Sequence, residues 1–99
     1  MPSKKPKTTK LDIAEYLKTE EEIAGFLDAA FEEAGDNPEY VSAALGVAAR
    51  ARGMTKIAKK TGITRAALYN ALSAKGNPEL NTFIKVINAL GLKLKLAKI

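Results

Sequence analysis

Residues 54–73 read Met-Thr-Lys-Ile-Ala-Lys-Lys-Thr-Gly-Ile-Thr-Arg-Ala-Ala-Leu-Tyr-Asn-Ala-Leu-Ser, and this stretch decides the fold. Ala58 falls midway along a first helix, where only a small side chain fits between two helices that press together. Gly62 follows four residues later, where the chain must reverse and a residue able to adopt a positive φ is needed. The pattern predicts two short helices, 54–61 and 64–73, joined by a tight turn.

The second of these helices has two faces of different chemistry. Thr64 is a natural N-cap for it, because the hydroxyl can accept a hydrogen bond from a free backbone N–H. The inner faces of the pair are predicted to bury the side chains of Ile57, Ile63, Leu68 and Ala71. The start and outer face of the second helix are left with Arg65, Ala66, Tyr69 and Asn70. A DNA-binding helix-turn-helix turns this surface toward base edges.

These outer side chains suit the major groove of DNA. Arg65 can form a fork onto O6 and N7 of guanine, and Asn70 can pair with an adenine edge. Ala66 is small enough to let the helix approach or to touch a thymine methyl, and Tyr69 can reach a phosphate or a base. Contacts to phosphates, which position without specifying, are predicted for Thr55, Lys56, Lys59, Lys60 and Lys75. The alternative is a pair of scaffold helices that touches no nucleic acid.

Three further helices are predicted around this pair. Thr19 and Glu22 complete a capping box for the first of them, which is expected to end at Gly35 in a left-handed cap. Asn37, followed by proline, is the N-cap of the next helix. The last apolar stripe at helical spacing runs over residues 80–90.

The closing segment has a period of two instead. Leucine alternates with other residues over Leu92, Lys93, Leu94, Lys95, Leu96 and Ala97. This predicts a short β-strand at 92–97 that needs an edge to pair with, either the same strand in a second subunit or the sheet of another protein. A frayed, helix-biased tail is the alternative. With a short structured lead-in at 11–17, residues 11–99 are predicted to form one all-α domain, a five-helix lambda-repressor-like helix-turn-helix fold with a short C-terminal strand.

Charge divides the 99-residue chain into three blocks. Residues 1–10 hold four lysines among proline and threonine, and predict a disordered basic arm. Residues 11–40 hold ten acids against one lysine, and residues 41–99 hold eleven bases against one acid. Because the predicted helix-turn-helix lies in the basic block, the acidic block is expected to face away from DNA. It is either the surface for a different partner or a solvated face without one.

The composition argues against catalysis and against metal or thiol chemistry. The chain has no His and no Cys, so acid–base chemistry would depend on carboxylates, lysine or tyrosine. The acids cluster at helix starts, where capping accounts for them, and three adjacent glutamates point around a helix rather than toward one metal ion. We expect no enzyme, no cofactor and no metal. Without a membrane-spanning apolar run or a secretory signal, a cytoplasmic location is expected.

Several segments together resemble the HigA-like addiction-module antidote proteins. The runs that carry this resemblance are Ala-Arg-Ala-Arg-Gly-Met-Thr-Lys-Ile-Ala (49–58), Thr-Gly-Ile-Thr-Arg-Ala-Ala-Leu-Tyr-Asn-Ala-Leu-Ser (61–73), Gly-Asn-Pro (76–78), Thr-Phe-Ile-Lys-Val (82–86) and Ala-Leu-Gly-Leu-Lys-Leu (89–94). The acidic leading segment at 12–30 also resembles that family. The resemblance covers about residues 11–96 and leaves out the basic arm.

The resemblance implies the antitoxin of a type II toxin–antitoxin operon. Such a protein binds and blocks a RelE/HigB-like toxin, typically an mRNA-cleaving enzyme, and represses its own operon by binding operator DNA, usually as a homodimer. By position, the resemblance implies that the DNA-reading residues are Thr64, Arg65, Tyr69 and Asn70.

The resemblance carries no toxin-binding motif over to this chain, so a toxin surface has to be inferred from charge. A toxin that holds RNA must be basic, which makes the acidic segment the hypothetical docking surface. The candidate residues are Glu20, Glu21, Glu22, Asp28 and Glu32. Two other functions stay open, a stand-alone phage or plasmid repressor without a toxin, and a protein–protein module whose helix pair is only a scaffold.

Overall fold

Six helices run through residues 10–73 and 75–99, the part of the chain that the structure, a computed structural model, describes. They are α1 (Lys10–Tyr16), α2 (Glu20–Ala34), α3 (Pro38–Arg52), α4 (Met54–Thr61), α5 (Arg65–Ala71) and α6 (Leu80–Ala89). The all-α prediction is confirmed. The predicted count of five was too low, because the lead-in forms a helix of its own, α1. None of the helices described is long and apolar enough to cross a membrane.

The N-caps that the sequence predicts begin α2 and α3. The Thr19 hydroxyl accepts from the backbone N–H of Glu22 at 3.1 Å, and the Glu22 carboxylate accepts from that of Thr19 at 3.0 Å. The Asn37 side chain accepts from the backbone N–H groups of Glu39 and Tyr40. Each cap satisfies donors that a helix start leaves without partners, so both predictions are confirmed.

The end of α2 differs from its prediction. Gly35 has a φ of −66° and stays right-handed, so the predicted left-handed cap is wrong. The chain instead passes straight into the cap of α3, where the backbone N–H of Asn37 donates to the carbonyl of Ala34 at 3.0 Å. A Cβ at position 35 would overlap the carbonyl oxygen of Phe31. Close approach therefore explains this glycine better than conformational freedom does.

Helix α3 is the centre of the domain. It packs against α1, α2, α4 and α5, while α6 packs on α4. Every residue from 42 to 49 is buried, and most of them are alanine, glycine or serine. The largest fully buried side chains around it are Ile23, Leu45, Ile57, Leu68, Leu90, Val47 and Val86. Small side chains on α3 let four helices approach one axis closely.

Two small residues of α3 fix the end of α5 and the loop after it. A Cβ at Gly46 would overlap the carbonyl oxygen of Leu72, so the backbones of α3 and the end of α5 lie in direct contact. Ser42 is buried, and its hydroxyl donates to the carbonyl of Gly76 at 3.4 Å. The segment that follows α5 is thus held from inside the domain.

The predicted strand at 92–97 is absent, since residues 92–99 form no regular structure. Gly91 turns the chain with a φ of 82°, and the backbone N–H of Leu92 donates to Ile87 at 3.2 Å. Leu92 packs against the core, whereas Leu96 is 100% exposed. An alternating pattern arranges side chains, but a strand also needs a paired edge, and the rest of the described chain is helical and offers none.

The predicted disordered arm at 1–10 lies outside the described residues except for Lys10, which begins α1.

Gly46 provides a test of the central packing. Its replacement by alanine should lower the free energy of unfolding by about 1–3 kcal/mol, because the added methyl group meets a backbone carbonyl that can move only with α5. Urea denaturation followed by circular dichroism measures the change. Gly25→Ala is the matched control in the middle of α2, where nothing lies within 4 Å of the added Cβ, and it should stabilise the fold by about 1 kcal/mol. Effects of the same sign would contradict this account.

Candidate functional site

The reversal between α4 and α5 occupies three residues. Gly62 has a φ of 76° in the left-handed region, and its N–H donates to the carbonyl of Ala58 at 2.9 Å. This confirms the predicted turn, since a side chain at that φ would be strained. Of the predicted inner-face residues, Ile57 and Leu68 are fully buried, while Ile63 and Ala71 are half-buried.

Thr61 is a residue of this turn that the sequence analysis missed. It is the last residue of α4 and only 8% exposed. Its hydroxyl donates to the carbonyl of Ile57 at 2.9 Å and accepts from the backbone N–H of Ile63 at 3.2 Å. A threonine directly before a reversing glycine is the signal that could have revealed it, because hydroxyls in such turns bond to nearby backbone groups.

Thr64 begins α5 as predicted. Its backbone is extended, with a φ of −65° and a ψ of 154°, and its hydroxyl accepts from the N–H of Ala67 at 3.1 Å. The helix is predicted to start at 64 and end at 73, and its observed bounds, Arg65–Ala71, are slightly shorter. Capping thus fixes the direction in which α5 leaves the turn.

The outer face of α5 forms one exposed patch. Arg65, Ala66, Tyr69 and Asn70 are all exposed, and Leu68 is the buried residue of this helix. The guanidinium carbon of Arg65 lies 5.9 Å from the centre of the Tyr69 ring. Residues four apart on a helix are neighbours, and a cation over an aromatic ring is attracted to it. The tyrosine ring therefore attracts the arginine side chain along the helix.

The residues predicted to contact phosphates are also exposed, namely Thr55, Lys56, Lys59, Lys60 and Lys75. They do not all share one surface. Lys60 lines a hollow against α6 together with Lys85 and Asn88, so it lies on the α6 side of α4.

A hollow of about 540 Å³ borders the α5 patch and involves residues that the sequence analysis did not single out. Its lining includes Glu15 and Lys18, from α1 and the segment after it, together with Arg50 and Tyr69. Within the described residues, the Nε atom of Arg50 is buried without a hydrogen-bond partner. No local motif marks Arg50, because its place beside Tyr69 depends on how α3 crosses α5.

The acidic residues predicted to bind a toxin are all exposed, but they differ in what they do in the fold. The Glu20 carboxylate accepts from Arg52 at 3.4 Å and also lies against Gly91. Glu22 belongs to the capping box. Among the described residues, Glu21, Asp28 and Glu32 form no ion pair, and Asp28 lines a groove with Lys93 and Lys95. In the described part of the chain, no group of three or more acidic, His or Cys side chains is placed to hold a metal ion.

An exposed patch on α5 and an acidic face on α2 give this small helical protein two chemically distinct surfaces. The chain belongs to a family described as probable addiction module antidote proteins, whose sequence profile matches residues 7–98. It is 47% identical over 85 residues to an uncharacterised protein of Haemophilus influenzae, and the match covers 86% of each chain. No solved structure matches the chain. The chain is therefore a probable antitoxin of an addiction module, which is a regulatory role rather than an enzymatic one.

Thr61 makes the turn testable. Thr61→Val keeps the shape of the side chain but leaves the Ile63 N–H without its acceptor, so the free energy of unfolding should fall by about 1–3 kcal/mol in urea denaturation. Thr55→Val, on an exposed position of α4, should stay within about 0.5 kcal/mol of the parent protein. A Thr61→Val protein as stable as the parent would show that the hydroxyl does not hold the turn.

Proposed function

We propose that this chain is the antitoxin of a type II toxin–antitoxin operon, that it neutralises a RelE/HigB-like toxin, and that it represses its own operon by binding double-stranded operator DNA. The observation that carries the DNA-binding half is the exposed patch on α5. A cytoplasmic location is part of this proposal.

In this proposal α4 and α5 act as a lambda-repressor-like helix-turn-helix. Helix α5 enters the major groove, with Arg65 forked onto guanine and Asn70 paired with adenine. The Tyr69 ring supports the proposal because it orients the arginine before DNA arrives, which reduces the rotamer freedom lost on binding. Ala66 lets the helix approach the bases closely.

Phosphate contacts then set the register of α5 in the groove. Thr55 and Lys56 at the start of α4, Thr64 at the turn, and Lys75 after α5 are the proposed contacts. The charge of the chain supports this assignment, since residues 41–99 hold eleven of its sixteen basic residues and one acid. One recognition helix reads only a few base pairs, so the working unit is proposed to be a homodimer on a two-fold-symmetric operator.

The toxin half of the proposal depends on the outer face of α2. A protein that holds RNA carries a basic surface, and an acidic face complements it. Glu21 and Glu32 are exposed there, and no ion pair within the described chain engages their carboxylates. Asp28 is exposed as well, but it lines a groove together with Lys93 and Lys95, which would repel a basic partner. Glu20 and Glu22 belong to the proposed surface by position, but contacts within the fold already use their carboxylates.

The DNA-reading assignment predicts a loss of specific binding in two single variants. Arg65→Ala and Asn70→Ala should each weaken binding to the DNA upstream of this gene by about tenfold to a hundredfold, because each removes a two-pronged base contact. Gel-shift titration at moderate salt measures this, with a scrambled duplex of equal length as the non-specific reference.

Lys98→Ala is the matched control for the loss of one positive charge, and it should bind nearly as the parent does. Were the Arg65→Ala/Asn70→Ala double variant to bind the operator as tightly as the parent, α5 would not be the reading helix.

The assignment of toxin binding to α2 predicts variants that lose toxin binding but keep operator binding. Glu21→Lys and Glu32→Lys should each weaken the toxin complex by about tenfold, because a like charge then faces a basic partner, while operator binding is retained. The probe is the product of a small basic reading frame beside this gene, tested by co-purification and by rescue of growth.

Glu79→Lys makes the same charge change at the start of α6 and should leave the toxin complex intact. Equal toxin affinity in all three variants would contradict the assignment of toxin binding to α2. A parent protein that binds its operator but no neighbouring product would instead indicate a stand-alone repressor.

A further inference from the structure

A groove of about 430 Å³ runs between α2 and the segment that follows α6. Its floor is apolar and includes Leu27, Phe31 and Ile87. Its two walls differ in charge. Asp28 stands on the α2 wall, while Lys93 and Lys95 stand on the wall formed by the closing segment.

The closing segment also exposes large apolar side chains. Leu94, which lines the groove, is 42% exposed, and Leu96 and Ile99 are fully exposed among the described residues. By contrast, Leu92 packs on the core. Exposed apolar side chains that follow one another along a segment beside a groove are typical of a protein–protein contact.

Gly25 on the α2 wall gives the groove an open side. It lies in the middle of a helix, where glycine weakens the helix, and nothing lies within 4 Å of the position its Cβ would occupy. No contact within the described chain therefore requires a glycine there. The missing side chain leaves room for a backbone that approaches from outside.

We propose that the occupant of this groove is the closing segment of a second copy of the chain, in a two-fold-symmetric dimer. In such a dimer the same patch is used by both subunits, so every contact occurs twice. Leu96 of each copy enters the groove of the other and passes over Gly25. Asp28 of each copy faces Lys93 and Lys95 of the other.

The charges on the walls favour a second copy over other partners. A uniformly basic protein would be attracted by Asp28 but repelled by the two lysines. Nucleic acid would be attracted by the lysines but repelled by Asp28. A surface with one acidic and one basic wall complements itself under a two-fold rotation. The inference specifies how the homodimer of the proposed function forms, and its test needs neither DNA nor toxin.

The first experiment exchanges the charges and measures self-association by sedimentation equilibrium. Asp28→Lys alone, and Lys93→Glu with Lys95→Glu, should each weaken the dimer by about tenfold, because each change replaces attraction by repulsion in both halves of the dimer. An equimolar mixture of the two variant proteins should restore tight association as a heterodimer. If the charges met within one chain, mixing would restore nothing, and the proposal would be overturned.

The second experiment tests the groove itself. Leu96→Asp changes a fully exposed side chain, so the fold is retained, and it should weaken the dimer by about a hundredfold. Gly25→Leu should raise the melting temperature of the monomer, measured at concentrations too low for dimerisation, since leucine favours helix. It should still weaken the dimer because it closes the open side. Ala29→Leu is the matched control on α2, exposed but outside the groove, and should leave the dimer unchanged.

Three results would overturn the inference. One is a parent chain that stays monomeric at high micromolar concentration, which would also remove the dimer from the proposed function. Another is a set of groove variants that dimerise as the parent does. That result would overturn the groove contact without bearing on the proposed DNA and toxin binding. The last is a loss of toxin binding in Asp28→Lys with unchanged self-association, which would assign the groove to the toxin.

Discussion

The contact between the backbone of α3 at Gly46 and the carbonyl oxygen of Leu72 is the constraint on which the rest of the structure depends. It sets the distance between the central helix and the end of α5, and the neighbouring hydroxyl of Ser42 fixes the loop beyond it. Because α3 also packs against α1, α2 and α4, every surface of the domain is placed relative to this one approach. Packed interiors have little room to absorb a shift, so the α5 patch inherits its position from the core.

The turn before α5 adds direction to that position. Three features of residues 61–64 fix that direction: the hydrogen bonds of the Thr61 hydroxyl to backbone groups on both sides, the left-handed backbone of Gly62, and the Thr64 cap. The two hydroxyls accept hydrogen bonds from backbone N–H groups that the reversal would otherwise leave without a partner, and the glycine adopts the φ that the reversal needs. A seven-residue helix would be marginal in isolation, and these contacts together with the buried Leu68 keep it formed. Packing sets where α5 lies, and the turn sets which side chains face outward.

Local chemistry made much of this predictable. The capping box at Thr19, the cap at Asn37, the reversal at Gly62 and the cap at Thr64 each depend on a few adjacent residues, and all are present in the structure. The outward placement of the α5 side chains followed from helical spacing alone. These are features that a single segment specifies whatever surrounds it.

The features that were not predicted depend on contacts between segments that are distant in the sequence. Nothing in the sequence near Gly46 says that the end of α5 will lie against it, and nothing near Glu20 identifies Arg52 as its partner. The strand at 92–97 was predicted from alternation, which describes where side chains point but supplies no neighbouring edge. Gly35 was assigned to a left-handed cap, whereas the observed turn uses it to avoid a clash with Phe31.

Some acidic side chains of α2 make contacts within the fold and others do not, and this difference affects how the sequences of related proteins diverge. Glu20 and Glu22 are tied to the fold, so substitutions there change stability whatever their effect on the proposed toxin contact. Glu21 and Glu32 are exposed side chains with no such tie. Related chains can therefore vary at these two positions at little structural cost. Under the proposed toxin assignment, duplicated copies in one cell can diverge at these positions, so that each binds its own toxin while the scaffold stays unchanged.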